Sequence, residues 1–158
     1  MTATYDEISQ MLIDLTAILE IDEAESYDDE LSWAIAFDSD PAVELALDYD
    51  GETGKLFMTS LVGSAPREKV LETYRYLLEY NQFWADTGGA RMALDSESEE
   101  VLLIGDCVLA DLTVETLGAT IAAFLVIHRT QQLILMKGIG SGGATPDEAG
   151  PMPGHIIA

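Results

Sequence analysis

The most constraining feature of the chain is a pair of strict two-residue alternations. Leu31, Trp33, Ile35 and Phe37 alternate with Ser32, Ala34, Ala36 and Asp38, and Val43, Leu45, Leu47 and Tyr49 alternate with Glu44, Ala46 and Asp48. Successive side chains on a strand point to opposite faces, so each run is a strand with one buried face. Asp38-Ser39-Asp40-Pro41 between them is turn chemistry. Asp50-Gly51-Glu52-Thr53-Gly54 makes the next turn, and Lys55 to Val62 a third strand. The three form an antiparallel meander whose shared apolar face some other element must cover.

Three helical patterns supply that cover. Thr4 and Glu7 have the spacing of a capping box, and Ile8, Met11, Leu12, Leu15, Ile18 and Leu19 follow at three- and four-residue steps, predicting a helix from Tyr5 to Leu19. Glu20 to Glu30 holds seven acids in eleven residues and reads as a solvated connection. Ser64-Ala65-Pro66 opens a middle helix with Val70, Leu71, Tyr74, Leu77, Leu78 and Asn81 on one face. Ala90–Leu94 and Val101–Val108 are two further strands around an acidic turn, and Thr113 caps a last helix running to about Met136. The order is α-β-β-β-α-β-β-α, an α+β fold with helices packed on an antiparallel sheet. Residues 1–136 form one domain, and residues 137–158 read as a flexible Gly/Pro-rich tail.

Charge narrows the partners. With 29 Asp and Glu against 7 Lys and Arg, the chain carries −22 at pH 7, yet 48% of its 158 residues are hydrophobic, enough for a core. The basic residues are scattered, which argues against nucleic acid and anionic membranes as partners. The longest apolar run, Ile121 to Ile127, is seven residues, far short of a span. A single cysteine and an N-terminus without a basic and apolar leader point to the cytoplasm.

Chemistry-bearing constellations are lacking. His155 lies in the tail, and His128 sits on the apolar face of the last helix, where a core or interface role suits it. Cys107 has no basic neighbour in sequence and reads as a small hydrophobe. Asp48-Tyr49-Asp50-Gly51-Glu52 begins like a calcium loop, but glycine stands fourth instead of sixth and Thr59 occupies the twelfth position. Gly54-Lys55 lacks the spacing and the Ser/Thr of a phosphate loop, and Gly138-Ile139-Gly140 follows a helix instead of linking a strand to one. No catalytic residue, cofactor or metal is expected, and the chain reads as a non-enzyme.

The middle helix carries a second stripe, Thr73, Tyr76, Tyr80 and Phe83, with Trp84 alongside. Either this stripe is core and the Val70/Leu71 face meets the sheet edge, or one of the two packs on a second copy of the chain. The dimer reading is preferred, since exposed aromatic patches mark interaction sites.

Taken together the pattern resembles the CesT/Tir-chaperone family of class I type III secretion chaperones. The resemblance rests on the leading helix with Leu12, Leu15 and Leu19, the meander ending Leu61-Val62-Gly63-Ser64-Ala65-Pro66, and Leu77-Leu78-Glu79-Tyr80-Asn81. It continues through Gly88-Gly89-Ala90-Arg91-Met92-Ala93-Leu94-Asp95, Val101-Leu102-Leu103, and the last helix with Leu117, Ile121 and Phe124-Leu125, about residues 5 to 135 in all. It implies an acidic cytoplasmic homodimer, neither an enzyme nor a user of ATP. Such a protein binds the N-terminal chaperone-binding segment of a secreted effector in extended form and keeps it stable and secretion-competent. It assigns Tyr76, Tyr80 and Phe83 to the dimer seam, and Leu12, Leu15, Leu19, Trp33 and Ile35 to the effector groove; ordinary core is the alternative for each groove residue. Asp106-Cys107-Val108-Leu109-Ala110-Asp111 lacks the proline often seen there in the family, and the tail is longer than the family core requires. Two other readings stay open: a YbjN-like regulatory module of the same build, and an acidic mimic of nucleic acid.

Overall fold

The computed structural model describes residues 1–39 and 41–139. In chain order the elements are α1 (Tyr5–Leu15), β1 (Ile21–Tyr27), β2 (Ser32–Phe37), β3 (Val43–Asp50), β4 (Lys55–Ser64), a 3-10 turn (Arg67–Lys69), α2 (Val70–Gln82), β5 (Arg91–Leu94), β6 (Glu100–Val108) and α3 (Val114–Lys137). Six strands form one antiparallel sheet in the order β1-β2-β3-β4-β6-β5, so β1 and β5 are its edges. The α+β class is as the sequence predicts, with one strand more.

That extra strand is the acidic stretch read as a connection. β1 pairs with β2 from Ile21↔Phe37 to Tyr27↔Ser32, yet only Ile21 is buried. With both faces of the rest of the strand in water there is no apolar alternation to read, and its charges suit an edge that must not pair at random. The first helix also stops at Leu15, four residues short of the expected end, in a turn that feeds β1.

Elsewhere the alternations set the register. Trp33↔Leu47, Ile35↔Leu45 and Phe37↔Val43 put six apolar side chains on one face, all buried. β4 continues this face with Leu56, Met58 and Val62, and shifts register between Leu61 and Gly63, where φ of +143° favours glycine. On β6, Val101 and Leu103 complete it. α1 and α3 pack together over this face, with α3 lying against β4, while α2 packs against β5.

Both outer helices start as the sequence specifies. The Thr4 N–H donates to Glu7 Oε2 (2.8 Å) and the Glu7 N–H to Thr4 Oγ1 (3.3 Å), while Thr113 caps α3 reciprocally with Thr116. By length and composition α3 could cross a membrane. Its inner side, however, is the core of the fold, with Leu117, Ile121, Phe124 and Leu135 buried beside His128 and Gln131. At its end Lys69 Nζ donates to the Ile139 carbonyl (3.1 Å), and Ile139 rests on the core. The expected flexible tail lies, from residue 140, outside the described residues.

Candidate functional site

Two apolar surfaces are built at the two edges of the sheet. The first is a groove of about 200 Å³ between α1 and β1, lined by Ser9, Leu12, Ile13, Thr16, Ala24 and Trp33 among others. The Trp33 indole N–H donates to Ser9 Oγ (3.1 Å), and the Tyr5 ring stacks on the indole at 4.4 Å. The Tyr5 hydroxyl in turn donates to Asp28 (2.9 Å), so the indole is fixed as a rigid apolar floor. The small side chains of Ala24 and Ser26 line the groove from β1, an edge strand of the sheet among the described residues, above the indole, which is only 4% exposed. Asp28, held by Tyr5, lies at the end of the groove, while Glu23 and Glu25 project from the opposite face of β1, beside Ala34, Ala36 and Glu44.

Of the five residues assigned to this region, Leu12 and Trp33 line the groove from beneath, themselves part of the core at 3% and 4% exposed. Leu15 and Ile35 are core residues, 2% and 1% exposed, and Leu19 is half-buried in the turn after α1. Sequence reasoning passed over Ile13, 65% exposed on the groove wall. The signal was present, since Ile13 is an apolar residue out of step with the three-four spacing of its helix.

The second surface lies on α2 and β5. Thr73 and Leu77 are the buried residues of α2, flanked by the half-buried Tyr76 and Tyr80. The Tyr76 hydroxyl donates to Gln131 Oε1 of α3 (2.6 Å), and burial raises the pKa of both tyrosines. Tyr76 and Tyr80 therefore pack largely within their own protomer, while Phe83 is exposed. Leu71 and Leu78, placed on the core face by spacing, are 83% and 73% exposed. Beside them an apolar groove of about 300 Å³ runs between α2 and β5, lined by Tyr74, Leu77, Leu78, Met92 and Leu94. Asn81 fastens its wall: its Nδ2 donates to the Met92 carbonyl and its Oδ1 accepts from the Met92 N–H, both at 2.8 Å.

The residues weighed for chemistry are committed elsewhere. Asp50 closes the β3–β4 hairpin, its carboxylate accepting from the Glu52 and Thr53 N–H groups and the Thr53 hydroxyl, and these bonds lower its pKa. Burial, with Asp106 adding to it, raises the Cys107 thiol pKa and disfavours the thiolate. His128 is buried against Ser60. Among the described residues no group of three His, Cys, Asp or Glu side chains could hold a metal ion. His155 lies outside the described residues. The geometry is that of two apolar grooves, one beside each edge strand of the sheet.

A model of the Tir chaperone protein (CesT) family matches residues 16–130. No curated protein matches the sequence significantly. The fold is similar to a chain of the ExsC-ExsE complex, with 21% identity and a TM-score of 0.69, covering 83% of this chain and 95% of that one. It is similar to a chain of the HopA1-SchA chaperone-effector complex, with 20% identity, a TM-score of 0.60 and coverage of 80% and 93%. A chain of the Yersinia pestis type III secretion chaperone SycH in complex with a stable fragment of YscM2 gives 21%, 0.59, and coverage of 84% and 99%.

Proposed function

Because this chain belongs to the Tir chaperone protein (CesT) family, we propose that it is a type III secretion chaperone. In this reading a homodimer binds the N-terminal chaperone-binding segment of a secreted effector and keeps it stable and secretion-competent in the cytoplasm. The role is non-catalytic and needs no cofactor. Residues 1–136 are the chaperone domain, and 137–158 a separate tail.

The observation that carries the proposal is the α1–β1 groove with β1, an edge strand among the described residues, beside it. An extended segment satisfies its backbone on such an edge and places alternate side chains in the adjoining groove. Leu12 and Trp33 meet the client's apolar side chains, joined by Ile13, while Leu15, Leu19 and Ile35 set the groove's shape from beneath or beside it. The acids of β1 and Asp28, along this edge of the sheet, favour client segments rich in Lys and Arg.

The dimer seam is placed on α2 and β5. Phe83 meets the partner copy, with Tyr76 and Tyr80 supporting the helix from below, and Leu71 and Leu78 join the contact. Exposed leucines in this number are a liability for a monomer and ordinary for an interface.

Co-expression tests the reading. The N-terminal segment of a secreted protein encoded beside this chain is expected to become soluble and protease-resistant only in its presence. Capture of a folded signalling partner, with no effect on any unfolded N-terminal segment, overturns it in favour of the regulatory-module reading.

A further inference from the structure

Helix α3 buries one side in the core and exposes the other, and the exposed side has a period of its own. Ala119, Ala122, Val126, Arg129, Leu133 and Met136 are exposed and follow one another at three- and four-residue steps, the spacing of a coiled-coil seam. Thr116, Ala123 and Thr130 flank them on the same side. Val126, Leu133 and Met136 are 66%, 52% and 71% exposed, more apolar surface than a lone helix face needs to show.

Charge sets this helix apart from the rest of the chain. α3 holds one of the 29 acids, Glu115 in its first turn, and two bases, Arg129 and Lys137, the latter at its last residue. Among the described residues neither base is ion-paired. A chain of charge −22 repels its own copies, and along α3 it does so least.

The exposed face is also complementary to itself. Val126 stands at the middle of that face and at the middle of the helix's length. When a second α3 lies antiparallel about a twofold axis at Val126, residues equally far from Val126 stand level with one another. Glu115 then faces Lys137 at both ends, Leu133 faces Ala119, Arg129 stands beside Ala123, and Met136 beside Thr116. Each long side chain meets a short one, which lets the two axes close to ~8–10 Å. Arg129 rests its stem on the alanines and keeps its guanidinium at the rim. A parallel pair sets Glu115 against Glu115, Arg129 against Arg129 and Lys137 against Lys137, and all three repel.

We propose that α3 pairs in this antiparallel register with α3 of a second copy. The contact is one helix wide and rich in alanine, at the low end of specific interfaces, and it shares no residue with the α2–β5 surface. It joins two dimers where the α2–β5 seam holds and two single chains where it does not. The proposal does not rest on the chaperone reading.

Disulfide trapping in the full chain, in a C107S background, tests it, because the bond retains even brief encounters. V126C sits on the axis and is expected to form a covalent dimer under mild oxidation, since Cα atoms ~4.4–6.8 Å apart can be bridged. In the antiparallel pair, A119C and L133C each stand about fourteen residues along the helix from their own counterparts, ~21 Å at ~1.5 Å rise per residue. Either variant alone is therefore expected to give about tenfold less covalent dimer than an equal mixture of the two. V126C is expected to link in the L71E/L78E background as well, so failure of the α2–β5 seam leaves this result standing. L133C linking to itself as fast as to A119C overturns the register. V126C linking no faster than S96C, a control on the exposed β5–β6 turn, overturns the pairing. If V126E then weakens affinity for the client segment, or for phosphatidylcholine vesicles, the face belongs to that occupant instead.

Discussion

Ser60 Oγ lies 2.7 Å from Nδ1 of His128, and both residues are sealed from solvent. The pair joins β4 to α3 across 68 residues of chain, within a largely apolar layer. Among the described residues His128 Nε2 has no partner, so a charged ring would carry an unsatisfied buried N–H. Burial, and then the nearby Arg129, hold its pKa below the usual histidine range.

The sign of the consequence follows. The unfolded chain takes up a proton on this histidine near pH ~6.5 and the folded chain does not, so stability falls as pH drops below that value. The slope approaches ~1.4 kcal/mol per pH unit at most. Acidification also relieves repulsion in a chain of −22, so the readout is a difference. Urea unfolding of wild type and His128→Gln between pH 7 and 5 is expected to show wild type losing ground as pH falls; parallel curves refute the assignment.

A methyl group at Gly118 would stand 2.8 Å from Leu15 Cδ2, so α1 seats on α3 through the missing side chain. Gly118→Ala meets the end of a flexible side chain and regains ~1 kcal/mol of helix propensity, leaving thermal stability nearly unchanged. Gly118→Val cannot be accommodated by a rotamer change alone and is expected to cost ~1–3 kcal/mol. A thermal melt of the two variants separates these outcomes.

Much of this architecture was legible because its signals are local. The Trp33/Ile35/Phe37 and Val43/Leu45/Leu47 alternations and the caps at Thr4 and Thr113 depend on neighbours within a few residues, and all were found where the sequence put them. β1 was illegible because an edge strand exposed on both faces needs no apolar residues, and its pairing partner, not its composition, makes it a strand. α2 was harder still. Two apolar stripes compete on one helix, and only the position of α3 decides that Thr73, Tyr76 and Leu77 turn inward while Leu71 and Leu78 turn out. The five candidate groove residues came from a family resemblance carried onto apolar positions, but a groove is a gap between elements. Hence Ile13 on its wall was missed, and Leu15 and Ile35 proved to be core.

The groove makes a prediction that separates binding from folding. Ile13 is largely exposed, so Ile13→Asp is expected to change stability by no more than about 0.5 kcal/mol. Facing a client's apolar side chains, the same substitution is expected to weaken binding about tenfold, measured by calorimetry with the client segment. Trp33→Ala removes a buried ring and is expected to cost ~3–5 kcal/mol of stability, so lost binding in that variant says little by itself. Unchanged client affinity in Ile13→Asp overturns the placement of the site.

Dimerisation through α2 and β5 has an electrostatic signature of its own. Each copy carries −22, so two copies repel at long range, and salt screens this over a Debye length of ~10 Å at 0.1 M. The surface itself presents Leu71, Leu78 and Phe83; its exposed Arg75 is already paired with Glu79 of its own helix at 2.7 Å, and Arg91 of β5 stands over the Trp84 ring at 5.7 Å. Little short-range attraction between charges is left for salt to weaken. Sedimentation equilibrium is therefore expected to show association tightening as salt rises from about 0.05 to 0.5 M, the reverse of an interface held by ion pairs. Leu71→Glu/Leu78→Glu adds two acids to each copy at the centre of the seam and is expected to raise the dissociation constant at least 100-fold without lowering the melting temperature of the monomer. Association that weakens with salt, or that survives the double substitution, places the seam elsewhere on the molecule.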